Sequence, residues 1–161
     1  MKDIDYLIAA YRGQAGMLQG HLADFSDADL LVRPAPGANH VAWQLGHLIT
    51  STTNCINMCT PGAMPELSAD FLAKYNKESS KKDSGFDSKD ELLKRFSQVN
   101  DAATAWVQKL SDADKAMATP DKLKGFAPTV GGLAQALAGH VMMHVGQIQV
   151  ARRKLGKPVL F

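Results

Sequence analysis

The chain has 161 residues, a formal net charge of +2, 45% hydrophobic and 21% charged residues, which suits a single soluble globular domain over 1–161 with a proper core. The small charge, with no basic block carrying interleaved aromatics, argues against a nucleic-acid partner, and no run approaches the roughly 18 apolar residues of a membrane span. Asp3 and Asp5 stand where a secretory leader needs an apolar run, and Cys55 and Cys59 make no disulfide framework, so the expected compartment is the cytoplasm.

The first helix is expected over 3–23, where Ile4, Leu7, Ile8, Tyr11, Ala15, Leu18 and Leu22 recur at helical spacing. Gly13, Gly16 and Gly20 lower its propensity and suit close approach by a neighbour. His21, near its end, reads as a solvated residue favoured by the helix dipole. A linker follows, and Pro34 and Pro36 keep its end out of a helix.

Asn39 has the chemistry of an N-cap for a second helix over about 40–59. Val41, Leu45, Leu48, Ile49, Thr52 and Ile56 form one, mostly aliphatic face. His40, Trp43, Gln44, His47, Ser51, Asn54 and Met58 form the other, which is polar yet carries no charge. A solvent face normally carries Lys, Glu, Arg or Asp, so these residues read as the lining of a cavity, or as a surface covered by the following loop. Trp43 suits either the core or a substrate platform, and Cys55 and Cys59 read as small buried apolar residues.

Residues 60–87 interrupt the periodicity, with a short helix expected within Leu67–Tyr75 and a mobile polar stretch over Lys77–Gly85. So long a connection suits a crossover between parallel helices or a functional loop. Ser88 and Glu91 form a capping box, and the third helix follows through Leu92, Phe96, Val99, Ala103, Trp106 and Leu110. A second loop, Ser111–Pro128, leads to a last helix capped by Thr129 and ended by Gly156 and Pro158.

In that last helix Leu133, Ala136, Leu137, His140, His144, Gln147, Ile148, Ala151 and Leu155 share one stripe. Its far side, with Ala134, Ala138, Met142 and Val145, is also apolar, and a homodimer contact is expected there. Arg152 and Arg153 read as surface residues.

Four long amphipathic helices without a strand predict an all-α four-helix bundle. Within it, His140 and His144 at i and i+4 are either two separately satisfied histidines or two ligands of one divalent metal, for which neutral imidazole is the commonest ligand. A third ligand has to come from another helix, and His47 is the best placed; His40 lies too far along the axis to share the ion but can reach a substrate. Gln147 either bonds a ligand histidine, lines the cavity or packs. Three imidazoles with an open position suit Zn²⁺, Ni²⁺ or Fe²⁺.

The pattern WQLGHL, Trp43 to Leu48, followed downstream by HVMMHVGQIQVARRKLGKP, His140 to Pro158, resembles the DinB family of damage-inducible metal-dependent proteins over nearly the whole chain. The resemblance implies a metal at His47, His140 and His144, an up-down-down-up topology with a long crossover between the second and third helices, and a homodimer. Established activities among such relatives include metal-dependent thiol transfer and thiol-assisted isomerisation. The expectation is therefore a metal-dependent transferase or hydrolase, which activates a low-molecular-weight thiol or water against a small electrophilic substrate. The alternative is a non-catalytic metal- or ligand-binding stress-response protein, in which the ion serves structure.

Overall fold

The computed structural model describes residues 3–160, and its four long helices are α1 (Asp3–Leu22), α3 (Val41–Cys59), α5 (Lys89–Lys109) and α8 (Val130–Lys154). Shorter helices join them: α2 (Asp27–Leu30), α4 (Ala69–Lys74), α6 (Asp112–Ala116) and α7 (Asp121–Lys124), with a 3₁₀ turn at Glu78–Lys81. The described residues hold no strand, only an isolated bridge between Ala118 and Thr129. No described helix is long and apolar enough to cross a membrane.

The bundle is a closed square. α1 packs on α8 and α5, and α3 packs on the same two, so α1 and α3 are diagonal although consecutive among the long helices. The C-terminal ends of α3 and α5 meet the N-terminal end of α8 around Cys59, Trp106 and Val130. The start of α1, at Asp3 and Ile4, lies by Gln108 and Leu110 at the end of α5. Hence α3 and α5 run parallel, α1 and α8 run against them, and the topology is up-down-down-up with residues 60–88 as the crossover.

Leu18, Leu22, Leu45, Leu48, Ile49, Leu92, Leu133 and Ile148 are fully buried at the centre. Burial of side chains of this size stabilises by roughly 1.5–3 kcal/mol each relative to exposure. Tyr11 adds a polar tie, its phenol donating to the Ala134 carbonyl at 3.0 Å. The expected caps form at α5, where Ser88 and Glu91 close a capping box, and at α8, where Thr129 accepts from the Gly132 amide. Gly156 takes φ 68°, the left-handed conformation that ends a helix.

Several expectations are corrected. The N-cap of α3 is His40, not Asn39: its Nδ1 accepts from the Trp43 amide at 3.2 Å. Ser111–Pro128 contains α6, itself started by a Ser111–Asp114 capping box, and α7. The expected mobile stretch is ordered by burial of Ser79 and by Arg33, which bonds the Ser80 and Lys82 carbonyls and Asp83. Cys55 and Cys59 are free thiols, each only partly buried.

The far side of α8 is not a surface: Ala134, Ala138 and Val145 are buried within the chain, and Met142 partly so. Both flanks of α8 meet neighbours, so this face is not open to a second copy. His21 is also buried, its Nδ1 donating to the Met17 carbonyl at 2.8 Å. Arg152, expected at the surface, is 1% exposed. Its guanidinium pairs with Asp24 and donates to the His21 and Pro158 carbonyls, locking the end of α8 to the end of α1. Arg153 is exposed, as expected.

Candidate metal centre

His47 on α3 and His140 and His144 on α8 converge because α3 and α8 are neighbours in the square. One ligand atom from each of the three histidines lies within 4.8 Å of the others. The ring centroids are 5.1 Å apart for His47 and His140, 5.5 Å for His47 and His144, and 4.8 Å for His140 and His144.

The tautomers follow from the hydrogen bonds. Gln44 is buried, and its Nε2 donates to the Asn39 carbonyl at 2.7 Å, so its amide cannot be turned the other way. Its Oε1 therefore faces His144 Nδ1 at 2.9 Å, and Nδ1 must be the donor. His144 Nε2 is left with its lone pair pointing at His140 Nε2, 3.2 Å away. Without a cation His140 has to donate from Nε2, which strands its buried Nδ1 as an acceptor with no partner. A divalent ion would take the lone pairs of both Nε2 atoms in place of that contact, and His140 Nδ1 would then carry the proton. Ligand nitrogens about 2.0–2.1 Å from a tetrahedral ion lie about 3.3 Å apart, close to the 3.2 Å between the Nε2 atoms of His140 and His144. The residues fit a divalent metal.

Electrostatics agree. Burial lowers the pKa of His144 to about 3 and that of His140 to about 4, with smaller contributions from the neighbouring imidazoles, and burial also lowers that of His47. All three are neutral at physiological pH, the form that binds metal. The causes of these shifts include no Asp, Glu, Lys or Arg.

The other residues expected around the site divide. Trp43 is buried and stacks flat on His47, with centroids 5.0 Å apart and planes 6° from parallel. Its indole donates to the Asn76 carbonyl and Ser79 Oγ, so it backs the ligand from the crossover side and offers no platform to a substrate. His40 is fully enclosed, with Nδ1 used by the Trp43 amide and Nε2 donating to the Lys82 carbonyl at 3.1 Å. It anchors the crossover. Ser51 is half-buried and bonds its own helix at the Leu48 carbonyl, while Asn54 and Gln147 are exposed. Gln44 serves as a partner of His144, where a cavity-lining role is expected from the sequence.

Two contributions have only faint sequence signals. Tyr75, from the crossover, lies over Gly46, where an added Cβ would meet its ring at 1.9 Å. The glycine before His47 is the signal: only that residue admits the ring. Phe126, between α7 and α8, faces His140 edge-on with centroids 6.4 Å apart, although it is 49% exposed. An aromatic between Gly125 and Pro128 is its only trace in the sequence. A separate pocket of about 630 Å³, lined among others by Cys59, Trp106, Lys109 and Met117, lies about 18 Å along α3 from His47.

The comparisons concern the fold and the family. A conserved protein from Enterococcus faecalis superposes with a TM-score of 0.73 at 16% identity, over 98% of this chain and 99% of that one. YfiT from Bacillus subtilis, described as a probable metal-dependent hydrolase with an unusual four-helix bundle topology, superposes with a TM-score of 0.67 at 16% identity, over 98% and 91%. At such identity these likenesses show the shared fold. No curated protein matches significantly. The profile of the DinB superfamily matches residues 10–148, and the chain belongs to that superfamily.

Proposed function

We propose that this protein is a metal-dependent enzyme that activates a thiol or a water molecule for attack on a small electrophilic substrate, by transfer or hydrolysis. The observation that carries the reading is the convergence of three neutral imidazoles within 4.8 Å, with no fourth His, Cys, Asp or Glu grouped with them among the described residues. Structural sites are closed by a fourth protein ligand, whereas catalytic sites keep a position for substrate or water. The structural neighbour YfiT, a probable metal-dependent hydrolase, supports the same direction.

His47, His140 and His144 would hold the ion. When bound, a divalent ion supplies Lewis acidity, lowering the pKa of a thiol or water and polarising an electrophile. Gln44 keeps His144 in the tautomer that presents Nε2, and Trp43 holds the plane of His47. Among the described residues no Asp or Glu is grouped with the three rings.

The test is elemental analysis of the purified protein after reconstitution with Zn²⁺, Ni²⁺ or Fe²⁺, alongside His144→Ala. The expected result is about one ion per chain, lost in the variant, with turnover of thiol-transfer or ester substrates that follows metal content. Metal binding without any turnover across both reaction classes would favour a structural ion, and a large fall in melting temperature on chelation would mark it.

A further inference from the structure

Both helices that carry the histidines lack ionic side chains along the site. Val41–Cys59 contains no Asp, Glu, Lys or Arg, and α8 has none before Arg152. Apart from the ion that the three histidines would hold, a charged substrate would find no counter-charge on either helix. What the chain places beside His140 is the ring of Phe126, a large aromatic left 49% exposed. It does not hang there by default. The segment that bears it is closed at its base by Thr119 N–H to the Pro128 carbonyl at 3.1 Å, Val130 N–H to the Met117 carbonyl at 2.9 Å, and the Thr119 hydroxyl to the Ala127 carbonyl at 2.5 Å.

Inside that closure Leu123 and Ala127 are buried, and the Phe126 and Ala127 amides both return to the Leu123 carbonyl. The segment carries three exposed charges, Asp121, Lys122 and Lys124, of which Lys124 and Asp121 pair with each other. Trp43, the other aromatic beside the histidines, is spent on the crossover. Phe126 is thus an exposed apolar surface at the centre, held by a pinned backbone.

We propose that Phe126 is a specificity-determining residue, and that the substrate or cosubstrate reaching the three histidines carries an apolar, preferentially aromatic, body that lies against its ring. The proposal rests on the metal-enzyme reading above. An aromatic pair of this kind contributes a preference of roughly three- to tenfold over a partner without a ring.

The experiment uses the Co²⁺-loaded protein and equilibrium binding of two alkyl thiols of similar acidity, benzyl mercaptan and 2-mercaptoethanol, followed by the change in visible absorption. Wild type is expected to bind benzyl mercaptan about fivefold or more tighter than 2-mercaptoethanol. Phe126→Ala should erase the preference for the benzyl group with Co²⁺ affinity unchanged, and Phe126→Leu should keep part of it. Equal affinities in wild type, or a benzyl preference that survives Phe126→Ala, would overturn the proposal while the metal reading stands. Failure of wild type to take up Co²⁺ would remove the metal reading, and with it the proposal.

Discussion

Gln44 and His144 are joined by a buried hydrogen bond of 2.9 Å, with the Gln44 amide held in one orientation by the Asn39 carbonyl. The bond links the two helices that carry the three histidines and decides which nitrogen of His144 is free. A ligand histidine whose second nitrogen is so held needs no reorganisation before it binds. Replacing Gln44 by Leu removes the acceptor and should weaken Zn²⁺ binding about 10- to 100-fold. Gln44→Glu keeps an acceptor for His144 but loses the N–H that the Asn39 carbonyl accepts, and should retain only part of the affinity. Competition against a chelator measures both, and ¹⁵N shifts of His144 report its tautomer. Undiminished affinity in Gln44→Leu would show that packing alone orients the ring.

Much of this was legible in the chain and some was not, for reasons that differ by residue. The four long helices are written in apolar periodicity, and Ser88–Glu91 and Thr129 mark their starts with local chemistry that no tertiary contact overrides. His140 and His144 share a face through local geometry. His47 is the best-placed third ligand from its position on the uncharged polar face of the second helix, and the resemblance carried by WQLGHL and HVMMH implies the same three residues. What failed were inferences about which surface faces water. Arg152 and His21 look solvated by residue type, yet Arg152 finds partners only the assembled bundle provides, and His21 bonds the Met17 carbonyl of its own helix while the bundle encloses it. Ala134 and Val145 look like an outer face only if α8 has one neighbour, and it has two long ones. Phe126 reaches His140 through a fold of the 119–129 segment that no periodicity encodes.

Gly46 should be intolerant of any side chain. An alanine Cβ would lie 1.9 Å from Tyr75 Cδ1. The ring cannot swing away freely, because its hydroxyl donates to Asp87 and accepts from the Asp87 amide, and Asp87 is also paired with Lys74. Gly46→Ala is expected to cost about 1–3 kcal/mol of stability by overpacking, offset only in part by its better helix propensity. Because His47 is the next residue, metal affinity should fall as well. Gly46→Ala combined with Tyr75→Ala removes the clash, and recovery of metal affinity in the double variant would distinguish a steric effect from a backbone one.

Arg152 should matter for stability and not for the metal. Its guanidinium satisfies the carbonyls of His21 and Pro158 and holds Asp24 well below the usual carboxylate range by hydrogen bonding. Asp24 is partly solvated, so removing Arg152 leaves a carboxylate that water can still reach, but strands backbone acceptors at the junction of α1 and α8. Arg152→Met is expected to destabilise by about 2–3 kcal/mol, the scale of lost hydrogen bonds to a charged group, with Co²⁺ affinity unchanged. Denaturant unfolding and metal titration separate the two. A loss of metal affinity as large as the loss of stability would contradict the assignment.

Acid should destabilise the metal-free protein before its carboxylates titrate. His140 and His144 are held neutral in the fold, with pKa values lowered by burial to about 4 and about 3, against an ordinary value of 6.5. Above pH 6.5 both folded and unfolded chains carry these rings neutral, and they contribute no pH dependence. Below it the unfolded chain binds protons that the folded chain refuses, so stability falls as pH drops from about 6.5 towards 4. The lowered carboxyls of Asp24 and Asp29 act with the same sign but in a lower window, because their unfolded value is near 3.8. Urea unfolding at pH 7.5, 5.5 and 4.5 should therefore show a decline between the first and second points that shrinks in His140→Gln/His144→Gln. A bound divalent ion should steepen the decline, since the same protons compete for the ligand nitrogens. Equal slopes in wild type and the double variant would mean that these rings are already solvated in the metal-free fold, and that their neutrality comes from the ion alone.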